Sequence, residues 1–396
     1  MKRIVAIILC MIMCFSIASC NTTDDVVKDV ETTSADTEQT DSTQSEEATD
    51  SEEAGSLEQD TQKETEEAKP TKYMLKDNAD KLKLHGRMSV VDTGITCDFS
   101  ASGIEFKAHV IGDVKLKVTA TRDTYFTVWI DGQRVDERLY APNQTSELTV
   151  ASFTEAGEHT IRILKQTEAA MSLCILNSLT ITGEFLEAPE PAQYYIEVIG
   201  DSITCGQGNL VGTGDNGQGN ALGEDGTQTF CFLAADSLGA DVSIIGCSGI
   251  GIDKGFTSFS EIDFYPMTSY CRSTTKKYDF SRIPDLVVIN LGTNDTTKGS
   301  SEDAFKSGVK ELIEFVRSKY GNVTIVWTCN MMNDVGVREW LTYSLNELGG
   351  EAAGIYLCEL NTDHAGGNGH PTVDGHETAS LILKKLIREK GLLSAS

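Results

Sequence analysis

From residue 73 to 186 the chain alternates apolar and polar positions in short runs. Val114, Leu116, Val118 and Ala120 interleave with Lys115, Lys117 and Thr119, which gives a strand one buried and one wet face. Residues 125–130 end at Asp131-Gly132, a strong hairpin pair, Gly157-Glu158 precedes a further run at 159–164, and 172–182 supplies another. Some seven or eight such segments without a helical period predict an antiparallel sandwich or jelly roll. A short stiff connector holding Pro189 and Pro191 follows, and then the pattern changes. Runs at 194–199, 241–245, 286–290, 323–328 and 355–357 are largely apolar, as parallel strands covered on both faces should be. Between them Phe305, Val309, Leu312, Ile313 and Val316 recur at helical spacing, as do Val373, Ala379, Ile382, Leu383 and Leu386. Residues 192–396 therefore predict an open α/β sheet, whose ligands sit at the carboxyl ends of its strands.

The N-terminus adds an export expectation. Lys2 and Arg3 precede an apolar stretch from residue 4 to 17, too short to span a bilayer. Ile17-Ala18-Ser19-Cys20 resembles the bacterial lipobox, which implies a signal at 1–20 and a mature lipoprotein anchored through a lipid on Cys20; an uncleaved anchor or a secreted protein is the plainer alternative. In residues 21–70, seventeen acids face Lys28, Lys63 and Lys69, a net −14 of the chain's −27. With almost no large apolar side chains, the segment 21–72 is expected to be a disordered, self-repelling tether. That acidity argues against nucleic acid or an anionic membrane surface as partner. Of the eleven cysteines, those outside the leader show no paired spacing, and most lie in apolar runs as small hydrophobes. No metal-spaced cluster stands out before the C-terminal histidines.

Three short strings carry chemistry: Gly200-Asp201-Ser202-Ile203, Gly292-Thr293-Asn294-Asp295 and His370-Pro371. Each falls at or near the end of an expected parallel strand. A serine needs a base for its proton and donors for the oxyanion that forms. Ser202 supplies the hydroxyl, although a Gly-Asp-Ser turn with a capping serine is the bland alternative. Asn294 offers a neutral amide donor, with an Asx-turn as its ordinary reading. In Cys247-Ser248-Gly249-Ile250-Gly251 a glycine lets a backbone N–H approach the same oxygen, and Gly249 is narrowly preferred over Gly251. His85, His109 and His159 belong to the alternating segments. Of the other three, His370 precedes the last predicted helix, where a loop can carry a base to Ser202, and His376 lies within that helix as a supporting group.

In this order the motifs resemble the SGNH (GDSL-type) hydrolase superfamily, and more narrowly carbohydrate esterase family 2. Leu164-Lys165-Gln166-Thr167-Glu168 and Ile199-Gly200-Asp201-Ser202-Ile203-Thr204-Cys205-Gly206 are similar to strings of that family. The resemblance implies an α/β SGNH domain with a flavodoxin-like parallel sheet, preceded by an all-β jelly roll. It implies Ser202 as nucleophile, His370 as base, and Ser202 N–H, Gly249 and Asn294 as oxyanion site, without cofactor or metal. The implied substrate is acetylated xylan or glucomannan. Alternatives are an SGNH lipase or thioesterase, a peptidoglycan O-acetyl esterase, or a non-catalytic carbohydrate-binding lipoprotein. One departure stands out. Three residues before His370, where the superfamily places an Asp, the chain has Gly367, with Asn368 following. The expectation is therefore a Ser-His dyad oriented by a backbone carbonyl, with Asp363 as the less favoured substitute. Tyr270 and Trp340 are positional candidates for sugar contact, with core packing the equal alternative.

Overall fold

A computed structural model describes residues 69–215, 220–267, 277–332 and 336–393. The expected signal with Cys20, the tether up to residue 68, and Tyr270 lie outside the described residues. The alternating region forms ten strands: Thr71–Met74 (β1), Leu82–His85 (β2), Val90–Val91 (β3), Gly94–Thr96 (β4), Gly103–Ala120 (β5), Thr124–Ile130 (β6), Gln133–Arg134 (β7), Leu139–Ala141 (β8), Thr145–Lys165 (β9) and Cys174–Phe185 (β10). The first begins two residues before the expected boundary, because Thr71 and Lys72 already pair with Ile181 and Thr180 of β10. All pairings are antiparallel along the path β3-β4-β10-β5-β9-β6-β7, which agrees with the jelly-roll expectation. The long β5–β9 ladder shifts register on either side of Gly112, whose φ of +71° lets the strand bend there. The period-two pattern holds: Ile104, Phe106, Val110, Val114, Leu116 and Val118 are all fully buried. Each such side chain contributes about 1.5–3 kcal/mol of hydrophobic stabilisation.

The second half is a five-stranded parallel sheet of Tyr194–Gly200 (β11), Ala240–Gly246 (β12), Leu286–Asn290 (β13), Thr324–Cys329 (β14) and Ile355–Glu359 (β15). Its order is β12-β11-β13-β14-β15, the flavodoxin-like arrangement. Helices Ser202–Cys205 (α1), Phe230–Ser237 (α2), Glu261–Phe264 (α3), Thr293–Thr297 (α4), Glu302–Tyr320 (α5), Val337–Glu347 (α6) and Val373–Glu389 (α7) connect the strands. Alternate residues of β13 serve opposite layers. Val287 and Ile289 join Phe305, Val309 and Leu312 of α5, whereas Leu286 and Val288 join Phe230 of α2 with Ala379 and Leu383 of α7. Two-sided burial explains why these strands lack alternation. Because β11 lies between β12 and β13, the chain leaves its carboxyl end toward one side and returns on the other, which opens a crevice there.

The halves share a continuous core. Trp129 and Leu164 of the β-region pack in one cluster with Phe230 and Phe232 of α2. Arg134 reaches Asp225 at 2.8 Å, and Arg138 donates to the carbonyls of Ala221, Leu222 and Glu224. Cys97, Cys174, Cys205, Cys231, Cys247, Cys329 and Cys358 are buried free thiols. Among the described residues no helix is long and apolar enough to cross a membrane.

Candidate active site

Ser202 is the first residue of α1, directly after β11 and Asp201. Asp201 caps that helix: its Oδ1 accepts from Ile203 N at 3.0 Å. After the edge strand β15, Thr372 caps α7 by accepting from Gly375 N, and the residues before it form a tight turn over Gly367–Gly369. That turn places His370 Nε2 2.8 Å from Ser202 Oγ. His370 Nδ1 lies 2.9 Å from the carbonyl oxygen of Gly367. A carbonyl only accepts, so Nδ1 carries the proton and Nε2 presents its lone pair to the serine hydroxyl. Ser202 and His370 are 7% and 6% exposed, so the pair sits in a largely water-excluded niche. Burial lowers the imidazole pKa below 6.5, and the Gly367 carbonyl opposes that shift in part.

The missing carboxylate has a steric reason. Gly367 N donates to Gly208 O at 2.9 Å, and a Cβ on Gly367 would meet Val211 Cγ2 at 2.9 Å and Gly208 Cα at 3.2 Å. Asp363 turns elsewhere: Oδ1 accepts from Ala365 N and Thr372 N, both at 3.0 Å, and Oδ2 accepts from Thr372 Oγ1 at 2.7 Å. Burial would raise its pKa, but these bonds hold it below 3.8.

Gly249 follows β12 with φ +80°, a left-handed conformation open to glycine. Its N–H and that of Ser202 donate to no group among the described residues. Gly251 instead packs at Lys254 O and Asp295 Oδ2, next to the N–H groups of Ile252, Asp253 and Lys254, which Asp295 gathers. Asn294 is the second residue of α4 and 8% exposed. Its Nδ2 donates to Ile250 O at 2.8 Å and to Asp201 Oδ2 at 3.1 Å. The sequence led us to expect an amide aimed at the serine; both of its N–H groups are engaged, because a buried donor takes the nearest acceptor.

His376 is fully buried on α7, accepts from Phe230 N through Nδ1 at 3.2 Å and stacks on the Phe230 ring, tying α2 to α7. Burial drives its pKa down to about 3, so it stays neutral. Trp340 is partly buried and packs on Phe305 against the core. Sequence reasoning passed over Phe256, which is 61% exposed and lies against Gly249; its N–H donates to Gly249 O at 2.7 Å. It also passed over Glu168, a buried acid from the β-region whose Oε2 accepts from Ser248 N at 2.7 Å. Its place in the family-like string Leu164-Lys165-Gln166-Thr167-Glu168 was the available signal, and that string assigned it no role.

Residues 84–189 match the carbohydrate esterase 2 N-terminal family model, and residues 198–378 match the GDSL-like lipase/acylhydrolase family model. The cellulase/esterase CelE of Acetivibrio thermocellus is 28% identical over 77% of this chain. This chain spans only 39% of that protein's length. An acetylxylan esterase / glucomannan deacetylase of Cellvibrio japonicus is 28% identical over 64% of this chain and 72% of its own. A family two carbohydrate esterase from Clostridium thermocellum, solved with cellohexaose, superposes with a TM-score of 0.71 at 27% identity, covering 79% of this chain and all of that one. By fold, the chain joins an SGNH-hydrolase α/β domain to a preceding all-β domain, and over the matched residues the two are similar to the GDSL-like lipase/acylhydrolase and carbohydrate esterase 2 N-terminal families.

Proposed function

We propose that this protein is a carbohydrate esterase that removes O-acetyl groups from plant hemicellulose, xylan or glucomannan, through a Ser202-His370 dyad. The observation that carries the reading is the relay from Ser202 Oγ through the two ring nitrogens of His370 to the Gly367 carbonyl, at 2.8 and 2.9 Å. Ser202 Oγ attacks the acetyl carbonyl carbon while Nε2 takes its proton. The oxyanion is held by the N–H groups of Ser202 and Gly249. Asn294 Nδ2 is the third donor and shares with the oxyanion the N–H that otherwise meets Ile250 O. Collapse breaks the ester bond, the sugar oxygen leaves with the proton from Nε2, and an acetyl group remains on Ser202. Water then attacks that acetyl carbon, giving its proton to Nε2, and acetate departs as the proton returns to Ser202. The Gly367 carbonyl orients the ring and stabilises imidazolium without a carboxylate. Similarity to acetylxylan and glucomannan deacetylases supports the choice of substrate, and the exposed Phe256 ring beside Gly249 offers a face for a sugar. A cell-surface location, with Cys20 lipidated and the acidic segment as a tether, belongs to the same proposal and rests on the sequence motif alone.

The test compares wild type with Ser202→Ala on acetylated xylan, acetylated glucomannan and a long-chain p-nitrophenyl ester. Acetate release from a polysaccharide, abolished by the substitution, is the expected result. Turnover of the long-chain ester alone reverses the substrate assignment, and glycan binding without hydrolysis by wild type reverses the enzymatic one.

A further inference from the structure

Beside α1 lies a buried polar cluster that the dyad chemistry leaves unexplained. Lys165, Gln166, Thr167 and Glu168 come from the end of β9 and the turn after it, and Glu224 and Asp225 from the loop between α1 and α2. All six are at most 1% exposed. Lys165 Nζ donates to three carbonyls, those of Asp98 at 2.9 Å, Glu168 at 3.1 Å and Thr167, so no N–H of the lysine is left for either glutamate. Glu224 Oε1 instead accepts from the backbone N–H of Glu168. Glu168 Oε2 accepts from Ser248 N at 2.7 Å and stands 3.9 Å from Cys205 Sγ, at the end of the helix that Ser202 begins. The other oxygens, Glu168 Oε1 and Glu224 Oε2, meet no donor. Burial raises both carboxyl groups, and for Glu224 the adjacent Glu168 charge adds to the rise. The Ser248 N–H and the Lys165 charge oppose that rise in part at Glu168.

Ser248 is the residue before Gly249. Its backbone is held by the β-domain, and its hydroxyl donates to Gln207 Oε1 at 3.1 Å, in the loop after α1. We infer that Glu168, supplied by the β-domain, is a positioning residue: by anchoring Ser248 it aims the Gly249 N–H at the oxyanion. The inference rests on the esterase reading above. The anchor is a 2.7 Å hydrogen bond from the Ser248 N–H to a buried carboxyl oxygen. Without it the Ser248 backbone N–H loses its acceptor and the segment is held only through the Ser248 hydroxyl and the Gly249 carbonyl, and misplacement by about 1 Å near the reacting atoms costs on the order of a hundredfold in rate.

The experiment uses the mature chain and the variants Glu168→Ala and Glu168→Gln. Three readouts are taken: kcat and KM on acetylated xylan, the rate of Ser202 labelling by a fluorophosphonate, and amide hydrogen exchange at residues 248–250. Alanine is expected to lower kcat and the labelling rate by about 10- to 100-fold with KM little changed, and to speed exchange at those amides. Glutamine keeps an oxygen for the Ser248 N–H and is expected to restore most of the rate. Should the alanine variant fail to fold, Glu168→Asp retracts the acceptor by one methylene and is expected to lose rate where glutamine does not. An unchanged kcat in the alanine or aspartate variant overturns the inference, and so does slowed turnover with unaltered exchange. Because exchange is read without substrate, a wild-type chain that hydrolyses no ester overturns the esterase reading separately.

Discussion

Replacing Asp363 by asparagine removes the one carboxylate that a triad could recruit from the loop between β15 and α7. In the structure this side chain serves the loop: its oxygens meet Ala365 N, Thr372 N and Thr372 Oγ1, while His370 Nδ1 is satisfied by Gly367 O. Loss of a true triad aspartate costs about 10⁴ in kcat, because the imidazole loses both its tautomer and its counter-charge. Here neither is lost, so kcat of Asp363→Asn should stay within about tenfold of wild type. The stability cost should be small but real. Asparagine Oδ1 still accepts the two backbone N–H groups, and Thr372 Oγ1 turns to accept from the new amide, so charge assistance is lost but no bond is orphaned. About 1 kcal/mol is the expected penalty. Acetate release from acetylated xylan gives the first quantity and urea unfolding the second. A fall in kcat of about a thousandfold or more, with the variant folded, refutes the dyad and makes Asp363 the working partner of His370.

Two further expectations follow from the histidines. Because burial holds the His370 pKa below 6.5, the imidazole remains a free base into mild acid, and kcat/KM should fall only below that pH; an inflection at or above 6.5 contradicts the assignment. His376, neutral in the fold with a pKa of about 3, gives stability that is fully present above pH 6.5 and is lost as pH falls toward 3, because the unfolded chain binds the proton first. At about 1.4 kcal/mol per pH unit, wild type should lose about 2 kcal/mol relative to His376→Asn between pH 6.5 and 5. The asparagine keeps an acceptor for Phe230 N–H. Raised carboxyl groups such as Glu224 act with the opposite sign and cancel in the difference. Parallel urea-unfolding curves for the two proteins would contradict this account.

What could be read from the sequence followed the reach of each signal. Strand class was legible because burial on one face or on two leaves different periodicities, as Val114–Val118 and Leu286–Asn290 illustrate. Ser202 was legible as a serine at a strand end and His370 as a histidine in the loop before the last helix. A backbone carbonyl as the acceptor for His370 was expected from the missing Asp at 367, but that it is the carbonyl of Gly367 itself was not legible. The reason for that absence, the approach of Gly208 to Gly367, joins positions far apart in the chain. Asn294 could be assigned as a donor, but its engagement with Ile250 O and Asp201 depends on the spacing of three loops. Glu168 was quoted only as part of a resembling string. Its partner Ser248 lies eighty residues on, and no local pattern links an acid at a strand end to a loop amide across a domain boundary.

The shared core bears on how this protein can be taken apart. Prolines at 189 and 191 invite a cut between two modules, yet such a cut would leave Phe230 and Phe232 facing water where Trp129 and Leu164 now cover them. It would strip Arg138 from the carbonyls of the loop behind the nucleophile and leave Ser248 without its acceptor. The β-region is thus no portable cassette to be grafted onto another hydrolase. The heritable unit is the pair, and a substitution at one side of the seam restricts what the other side can become.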